Sequence, residues 1–473
     1  MRNFKTTCLV LVVLMLYLNP LLQPVFAFYY NQTINQDLTN VDSWSKIITP
    51  ERQLTEPTIK LINNSIYVIG LVYSFSIHEY YMYIAKYNTS GIKIWDLINQ
   101  EISSIYYYVE FDSNENLYLI GNAFNYDYGS YPSLLKISPS GELIWSKLLD
   151  LYDFFETSGI QLGNNLTLYI KGYSQLNRKT ILLKLNSSGN LLWIKEFNMD
   201  YGSTKIDGEG NIYLYGSNTP LSKYNKSGSL LWTINESVVE LELYNDNIIL
   251  AVYFDTLDTW HDLATWIMKL NTSGFVFEKT KICEIDFTTG QDLYIWFLND
   301  IYVFFQTRSP LLLKYDINLS LHWNITMNLN FANIISVYVN LRLDSQQDII
   351  FIYDAERNGS DIGVLTLNSS GQMTEMYFWG GPYDDTTSAF DIDLGDNLFI
   401  ICQAEYYHVW TEPVTYTVLI KNPLPNGEPP PYLSYGFRDY YIFIFLGIVS
   451  AISIISLFLI LKPKLKKNLK QRI

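Results

Sequence analysis

The stretch KYNTSGIKIW at residues 86–95 decides the fold, because it returns. It recurs as KISPSGELIW at 136–145, KLNSSGNLLW at 184–193 and KYNKSGSLLW at 223–232. Looser copies follow as KLNTSGFVFE at 269–278, KYDINLSLHW at 314–323 and TLNSSGQMTE at 366–375, and a half copy, Leu419-Ile420-Lys421-Asn422, brings the series to eight. Self-similarity at a fixed period marks an architecture built by repetition.

Upstream of each copy lies an apolar run, usually opened by Asn or Asp: SIYVIG from Ser65, NLYLIG from Asn116, TLYIKG from Thr167 and NIYLYG from Asn211. The others are NIILAVY from Asn247, DIYVFFQ from Asp300, DIIFIYD from Asp348 and NLFIICQ from Asn397. Short β-branched and aromatic runs punctuated by Asn, Asp and Gly read as small antiparallel sheets. Residues 41–421 divided among eight copies give a unit of about 48 residues, the size of a four-stranded propeller blade. Within the unit, an alternating strand a such as Tyr108–Asp112 turns through a loop such as Asp207–Asn211 into the apolar strand b. Strand c ends in Lys-x-Asn, the Asn-x-Ser-Gly turn supplies a positive φ, and strand d closes on a Trp. Trp95, Trp145, Trp193, Trp232 and Trp323 are expected between neighbouring sheets, where a large flat ring fills the gap. An orphan strand-d piece, Val41–Lys46, precedes the first strand b, while the last copy stops after strand c at Lys421. The expected fold is therefore an all-β, eight-bladed β-propeller of four-stranded antiparallel blades, closed by an N-terminal strand that leaves no open edge.

The ends of the chain set its compartment. Residues 1–27 carry Arg2 and Lys5, the apolar run Cys8–Leu18 and the small-residue end Val25-Phe26-Ala27. That layout is a secretory signal peptide; an uncleaved membrane anchor is the other reading of the same run. Residues 28–40 form an N-terminal extension, and 422–439 a stiff Pro-rich stalk. Residues 440–461 hold no formal charge and would span roughly 33 Å as a helix, enough for a bilayer core. The basic tail at 462–473 places its end in the cytoplasm, so the expectation is a single-pass cell-membrane protein with the propeller outside.

The formal charge of −15 includes eight basic residues in the two ends; without them, 24 Lys and Arg face 47 Asp and Glu, a net −23. Such an acidic surface excludes nucleic acid as a partner. With 48% hydrophobic residues, disorder is excluded too. Cys283 and Cys402, isolated from each other, are expected unbridged, and no Cys/His spacing supports a zinc site. Twelve Asn-x-Ser/Thr acceptors are candidates for glycosylation: Asn31, Asn63, Asn88, Asn165, Asn186, Asn225, Asn235, Asn271, Asn318, Asn324, Asn358 and Asn368. Several fall in the repeated turn, where a glycan would face solvent.

The phrase Lys-x-Asn-x-Ser-Gly-x-x-x-Trp resembles the repeats of SBBP-type and Trp-docking-motif β-propellers over residues 41–421. That group holds eight-bladed PQQ-dependent quinoprotein dehydrogenases, and also an outer-membrane assembly scaffold without catalytic activity. The resemblance therefore implies blade packing and leaves the chemistry open. The vicinal cysteine pair of the alcohol-oxidising quinoproteins has no counterpart here, and no catalytic residue carries over. The heavy use of Asn, Ile, Lys and Tyr, and the density of acceptors beside one anchor, are similar to those of archaeal surface proteins.

Candidate binding residues gather in the b-to-c connections 73–81, 122–133, 253–265 and 403–416: Tyr80, Tyr126, Tyr128, Tyr131, Trp260, His261, Tyr406, Tyr407 and Trp410. Aromatic rings interleaved with acids suit sugar rings or a protein epitope; the competing reading is that they fold down on blade edges. His78, His261 and His408 share these segments without metal-ligand spacing, and His322 beside Trp323 reads as structural. Asp255–Asp262 is a weak Ca²⁺ candidate against a solvated loop. The expected function is a surface module that binds or scaffolds a surface protein or a polysaccharide, with no cofactor. The alternative is an extracytoplasmic PQQ-dependent oxidoreductase.

Overall fold

The computed structural model describes residues 43–48, 54–74, 79–99, 104–125, 129–149, 155–174, 176–199, 202–216, 219–245, 248–256, 262–286, 292–306, 311–326, 340–356, 360–380, 385–406 and 414–422. The signal, extension, stalk, membrane-helix and tail expectations lie outside the described residues, among which no helix is long and apolar enough to cross a membrane. Apart from one 3₁₀ turn at Asn164–Leu166, every described element is a β-strand.

The strands pair as antiparallel meanders. The first sheet is β2 (Leu54–Ile62), β3 (Ser65–Ser74), β4 (Glu79–Asn88) and β5 (Lys93–Asn99). The second is β6 (Ser104–Phe111) to β9 (Leu143–Leu148), through β7 (Leu117–Asn125) and β8 (Gly129–Ile137); the third is β10 (Phe155–Gly163), β11 (Thr167–Ser174), β12 (Lys179–Leu185) and β13 (Leu191–Phe197). A seven-stranded sheet follows: β14 (Ser203–Ile206), β15 (Ile212–Gly216), β16 (Thr219–Tyr224), β17 (Leu230–Asn245), β18 (Ile248–Thr256), β19 (Asp262–Asn271) and β20 (Val276–Asp286). Its 16-residue β17 serves twice, pairing through Leu230–Ser237 with β16 and through Val238–Asn245 with β18. Then come β21 (Asp292–Phe297), β22 (Ile301–Gln306), β23 (Leu311–Tyr315) and β24 (Leu321–Thr326), and β25 (Asn340–Leu343), β26 (Ile349–Glu356), β27 (Ser360–Leu367) and β28 (Met373–Trp379). The last sheet, β29 (Asp385–Ile392), β30 (Leu398–Tyr406) and β31 (Val414–Lys421), takes β1 (Trp44–Ile47) as its outer strand, with Trp44 opposite Lys421. The closure expected from Val41–Lys46 is thus present in the strand pairing.

Local chemistry dictates the turns. At the c-to-d turn the Asn88 side-chain oxygen accepts the N–H of Ser90 and Ile92, and Gly91 takes φ +74°. Asn186, Asn225, Asn271 and Asn368 repeat the arrangement. At the a-to-b turns Asp112, Asp207, Asp344 and Asp393 do the same with carboxylates. Burial pushes the Asp112 carboxyl up, but bonds from Asn116, Asn114 and Tyr118 outweigh it and hold the group below its ordinary value.

Each sheet presents one four-residue rung: Lys60-Tyr67-Lys86-Trp95 crosses the first, Glu110-Tyr118-Lys136-Trp145 the second and Lys205-Tyr213-Lys223-Trp232 the fourth meander. The lysine ammonium lies over the tyrosine ring, at 5.0 Å for Lys86 on Tyr67 and 4.7 Å for Lys136 on Tyr118. Lysine and tryptophan then reach the next sheet together. Trp95 Nε1 and Lys86 Nζ both donate to the Pro139 carbonyl; Trp232 and Lys223 both donate to that of Thr272; Trp323 and Lys314 both donate to that of Ser369. Trp44 donates to the Thr89 carbonyl, so the N-terminal strand also locks the last sheet to the first. Apolar clusters fill every such seam, including one that joins Phe399, Ile401 and Leu419 of the last sheet to Ile66 and Val68 of the first. Meanders stacked face to face around a closed circuit make this all-β chain a propeller-type fold.

Candidate functional site

The first strands of five meanders, β2, β6, β10, β14 and β29, wall an axial cavity of about 1330 Å³. Alternation sends the side chains of these strands by turns toward one neighbouring meander and the other, so that one register forms a ring around the cavity. The rung position supplies a ring of Lys60, Glu110, Gln161, Lys205, Glu242, Trp296, Arg342 and Asp391. Its charges tie neighbouring strands. Lys205 meets Glu242 at 2.8 Å and Arg342 meets Asp391 at 3.3 Å. Asp391 also accepts the N–H of Leu61, and Gln161 bonds both the N–H and the carbonyl of Ile206. Burial raises the Glu110 carboxyl, with Lys60 pulling it back.

Two residues along strand b from the ring, the pattern breaks at Lys171. In β11 it occupies the register held by Ile69, Ile120, Tyr215, Val252, Phe304, Ile352 and Ile401 elsewhere. Its cross-strand neighbour is Gly159, whose missing side chain lets the lysine stem reach the wall; Lys171 Cε lies 3.8 Å from where a Cβ would stand. Burial lowers the Lys171 ammonium and Glu240 partly restores it, while burial raises Glu240. An amine discouraged from ionising thus stands in a wall otherwise rich in hydroxyls such as Thr58, Ser158, Thr204 and Ser388, with the Glu240 carboxyl close enough to act on its charge. A polar, hydroxylated or carboxylated small group suits that lining. Sequence reasoning singled out neither Lys171 nor the ring. The signal was present: TLYIKG sets Lys171 where SIYVIG sets Ile69.

The predicted rim is built differently from its sequence reading. Segments 73–81, 122–133, 253–265 and 403–416 were expected to be loops, but β3 and β4 continue to Ser74 and from Glu79, and β7, β8, β18, β19, β30 and β31 likewise extend into them. Aromatic and β-branched residues keep the ladder going, with Tyr73 packed on Tyr80 at 5.0 Å between ring centres. Tyr80 is exposed on this hairpin and Tyr131 is half-buried opposite Ala123. Tyr406 ends β30. Tyr126, Tyr128, Trp260, His261, Tyr407 and Trp410 lie outside the described residues, as do His78 and His408. His322, on the outward β24, lies 3.7 Å from Asp316. Among the acceptors, Asn31 and Asn358 lie outside the described residues, Asn235 and Asn324 stand on β17 and β24, and Asn318 accepts from Lys269. Asn165 lies in the 3₁₀ turn.

Cys402 is a buried free thiol; burial, with Asp385 and Asp354 nearby, raises it well above its ordinary value. Among the described residues no group of His, Cys, Asp or Glu has metal-holding geometry. A quinone cofactor with its Ca²⁺ would need carboxylates converging at the axis. The carboxylates that line the cavity, Glu56, Glu110 and Asp354, do not converge among the described residues, and Glu242 and Asp391 of the ring are engaged by Lys205 and Arg342.

No protein-family model matches the chain, and no curated protein matches it. Solved structures of similar fold include the β-propeller domain of the Trilobed protease from Pyrococcus furiosus, 10% identical with a TM-score of 0.41 over 79% of this chain and 94% of that one. A protein of unknown function from Bacteroides caccae is 10% identical, with a TM-score of 0.33 over 63% of this chain and 89% of that one. A puromycin hydrolase is 8% identical, with a TM-score of 0.40 over 79% of this chain and 54% of that one. What makes this chain a propeller is its own strand pairing and seams.

Proposed function

We propose that the chain is an eight-bladed propeller of the Trp-docking repeat type, the seven-stranded sheet counting as two blades, held outside the cell by a single membrane helix at 440–461. It acts as a binding or scaffolding module for a surface polysaccharide or protein. One observation carries this reading. Ser43 and Asn422, where the described chain begins and ends, are hydrogen-bonded to each other beside the a-to-b turn at 393–397. This sets residue 422 on the turn face; with a membrane helix following it, the hairpins bearing Tyr80, Tyr131 and Tyr406 would open on the face directed away from the membrane. In this reading the cavity lined by Lys171 opens on the same side as those hairpins.

The test is binding by secreted residues 28–438 to arrayed glycans and to cell-surface extracts. The expected result is retention that falls by about ten-fold or more when Trp260 and Trp410 are replaced together by Ala. Binding indifferent to that change, or no binding at all, overturns the reading.

A further inference from the structure

The outward strands of the meanders are unusually apolar. Leu230 and Leu231 are 57% and 52% exposed, and Phe275 and Phe277 63% and 55%. Leu192 at 53% continues the row on the neighbouring meander. A soluble perimeter rarely leaves so many large apolar side chains uncovered on neighbouring outer strands. Strand edges lie there as well, so leaving them uncovered invites pairing between molecules.

Each of these strands is headed by an acceptor asparagine. Asn186 precedes β13, Asn225 precedes β17 and Asn271 precedes β20. Asn88 and Asn368 stand likewise before Ile94 and Met373, themselves 55% and 62% exposed. The side-chain oxygen of each asparagine is held by backbone N–H groups two and four residues on; for Asn271 the second belongs to Phe275, itself one of those exposed residues. In three of the turns the acceptor-site serine also donates to that oxygen, at 2.7 Å for Ser227, Ser273 and Ser370. The oxygen is therefore fixed on the turn. At Asn88, Asn186, Asn225 and Asn271 no hydrogen bond among the described residues occupies Nδ2. Asn368 Nδ2 donates at 3.3 Å to the exposed Gln372 side chain alone, whereas Asn63 Nδ2 donates at 2.9 Å to Glu115, which also accepts from Tyr67 and Lys86.

We propose that N-linked oligosaccharides on Asn88, Asn186, Asn225, Asn271 and Asn368 lie over the exposed apolar residues of the outer strands and keep the ring's perimeter from associating. The inference rests on the exported reading of the chain, and not on the binding role. In the modification, Nδ2 bonds to C1 of the first sugar of a polyprenyl pyrophosphate-linked donor. The C1–O bond to the pyrophosphate breaks, and the amide loses one proton. The C–H faces of the first sugars then cover Leu, Ile and Phe side chains, as apolar sugar faces cover aromatic rings in binding sites.

The experiment uses the full chain made through a secretory pathway that attaches N-glycans. Glycopeptide mapping should find the five turn asparagines occupied and Asn63 bare. Trimming the folded protein with an endoglycosidase should raise binding of a hydrophobic dye by about three-fold and produce concentration-dependent association. Replacing Leu230, Leu231, Phe275 and Phe277 together by Ser should remove most of that gain. Ser90→Ala, Ser188→Ala, Ser227→Ala, Ser273→Ala and Ser370→Ala delete the acceptor signals while keeping each turn-closing asparagine, and should reproduce the trimmed behaviour. Unmodified turn peptides, or trimming that changes neither dye binding nor association, overturn the proposal. The trimming arm decides even where a variant fails to fold, and the outcome is independent of the array test of ligand binding.

Discussion

Two of the seams that hold this ring together are built from different residues. At Trp95, the next turn offers Gly141 at φ +86°, and a Cβ there would stand 2.7 Å from Trp95 Cδ2. Trp44 with Gly91, Trp145 with Gly189, Trp232 with Gly274 and Trp323 with Gly371 repeat the pairing. The seam between β20 and the turn before β24 has neither partner. Glu278 stands at the Trp position, exposed, and Leu319 takes the glycine's place at φ +61° while only 4% exposed. Leu319 packs with Leu250, Val252 and Ile267 of one sheet and Val303 and Leu313 of the next. Two positions some forty residues apart in sequence change together because a single volume must be filled once, by an indole from one side or by a leucine from the other. The turn glycine thus has two duties, a left-handed backbone and a seat for the neighbour's ring.

The severest way to break the comparison is to remove a whole indole seam at the closure. Deleting residues 41–48 takes away β1, the Trp44 bond to Thr89 and the Ser43 bond to Asn422, and exposes β31 as an edge. The expected loss is on the order of 4 kcal/mol or more, read as a fall in the urea midpoint and a Tm lower by about 8 °C or more. An unchanged melting curve would mean the circuit is not sealed there.

Next in size is Gly141→Val. It forces a β-branched residue into positive φ and drives its side chain into Trp95, and should cost about 3 kcal/mol in urea unfolding. Leu319→Ala is the matching probe of the exceptional seam. It opens a cavity but leaves the turn's backbone type unaltered, and should cost about 2 kcal/mol. If Gly141→Val were the milder change, the indole seat would not be the tighter fit.

A double-mutant cycle sharpens the comparison further. Glu278→Trp alone meets Leu319, and Leu319→Gly alone leaves a void, although it relieves the left-handed leucine. Together they rebuild the pairing seen at Trp232 and Gly274. The expected coupling is about 1.5 kcal/mol in favour of the pair, and additive single effects would sink the shared-volume account.

Much of this was legible in the residues. The KYNTSGIKIW phrase states the turn, its positive φ and the docking ring, and Trp44-Ser45-Lys46 announced the closure by its likeness to Trp145-Ser146-Lys147. Segments that carry one residue type per duty are readable because a turn's φ and a ring's volume are local demands. The axis was not readable in the same way. Lys60, Glu110, Gln161 and Asp391 share no residue type, since their common property is only a register against strand b, which exists once the strands have paired. The hairpin extensions were missed for a related reason: aromatics at Tyr73 and Tyr80 serve a ladder as well as they serve a loop, and the sequence does not state which.

The smallest expected effect concerns how each kind of seam answers to pH. Glu115, from the turn before β7, accepts bonds from Asn63, Tyr67 and Lys86 of the first sheet, the last at 3.1 Å. Burial raises its carboxyl, but those bonds and the Lys86 charge hold it below the ordinary glutamate value. A depressed acid contributes stability that is complete above the ordinary carboxylate range and disappears as pH falls through the folded-state value. At the exceptional seam the corresponding lysine, Lys269, meets the neutral amide of Asn318 at 3.0 Å, which has no carboxyl to protonate. Glu115→Gln should therefore flatten the acid limb of the stability profile by no more than about 1 kcal/mol between pH 5 and 3, with little change at lower pH. Asn318→Ala should shift the whole profile without changing its slope. A steeper acid limb in Glu115→Gln would mean that the carboxylate opposes the indole seam instead of fastening it.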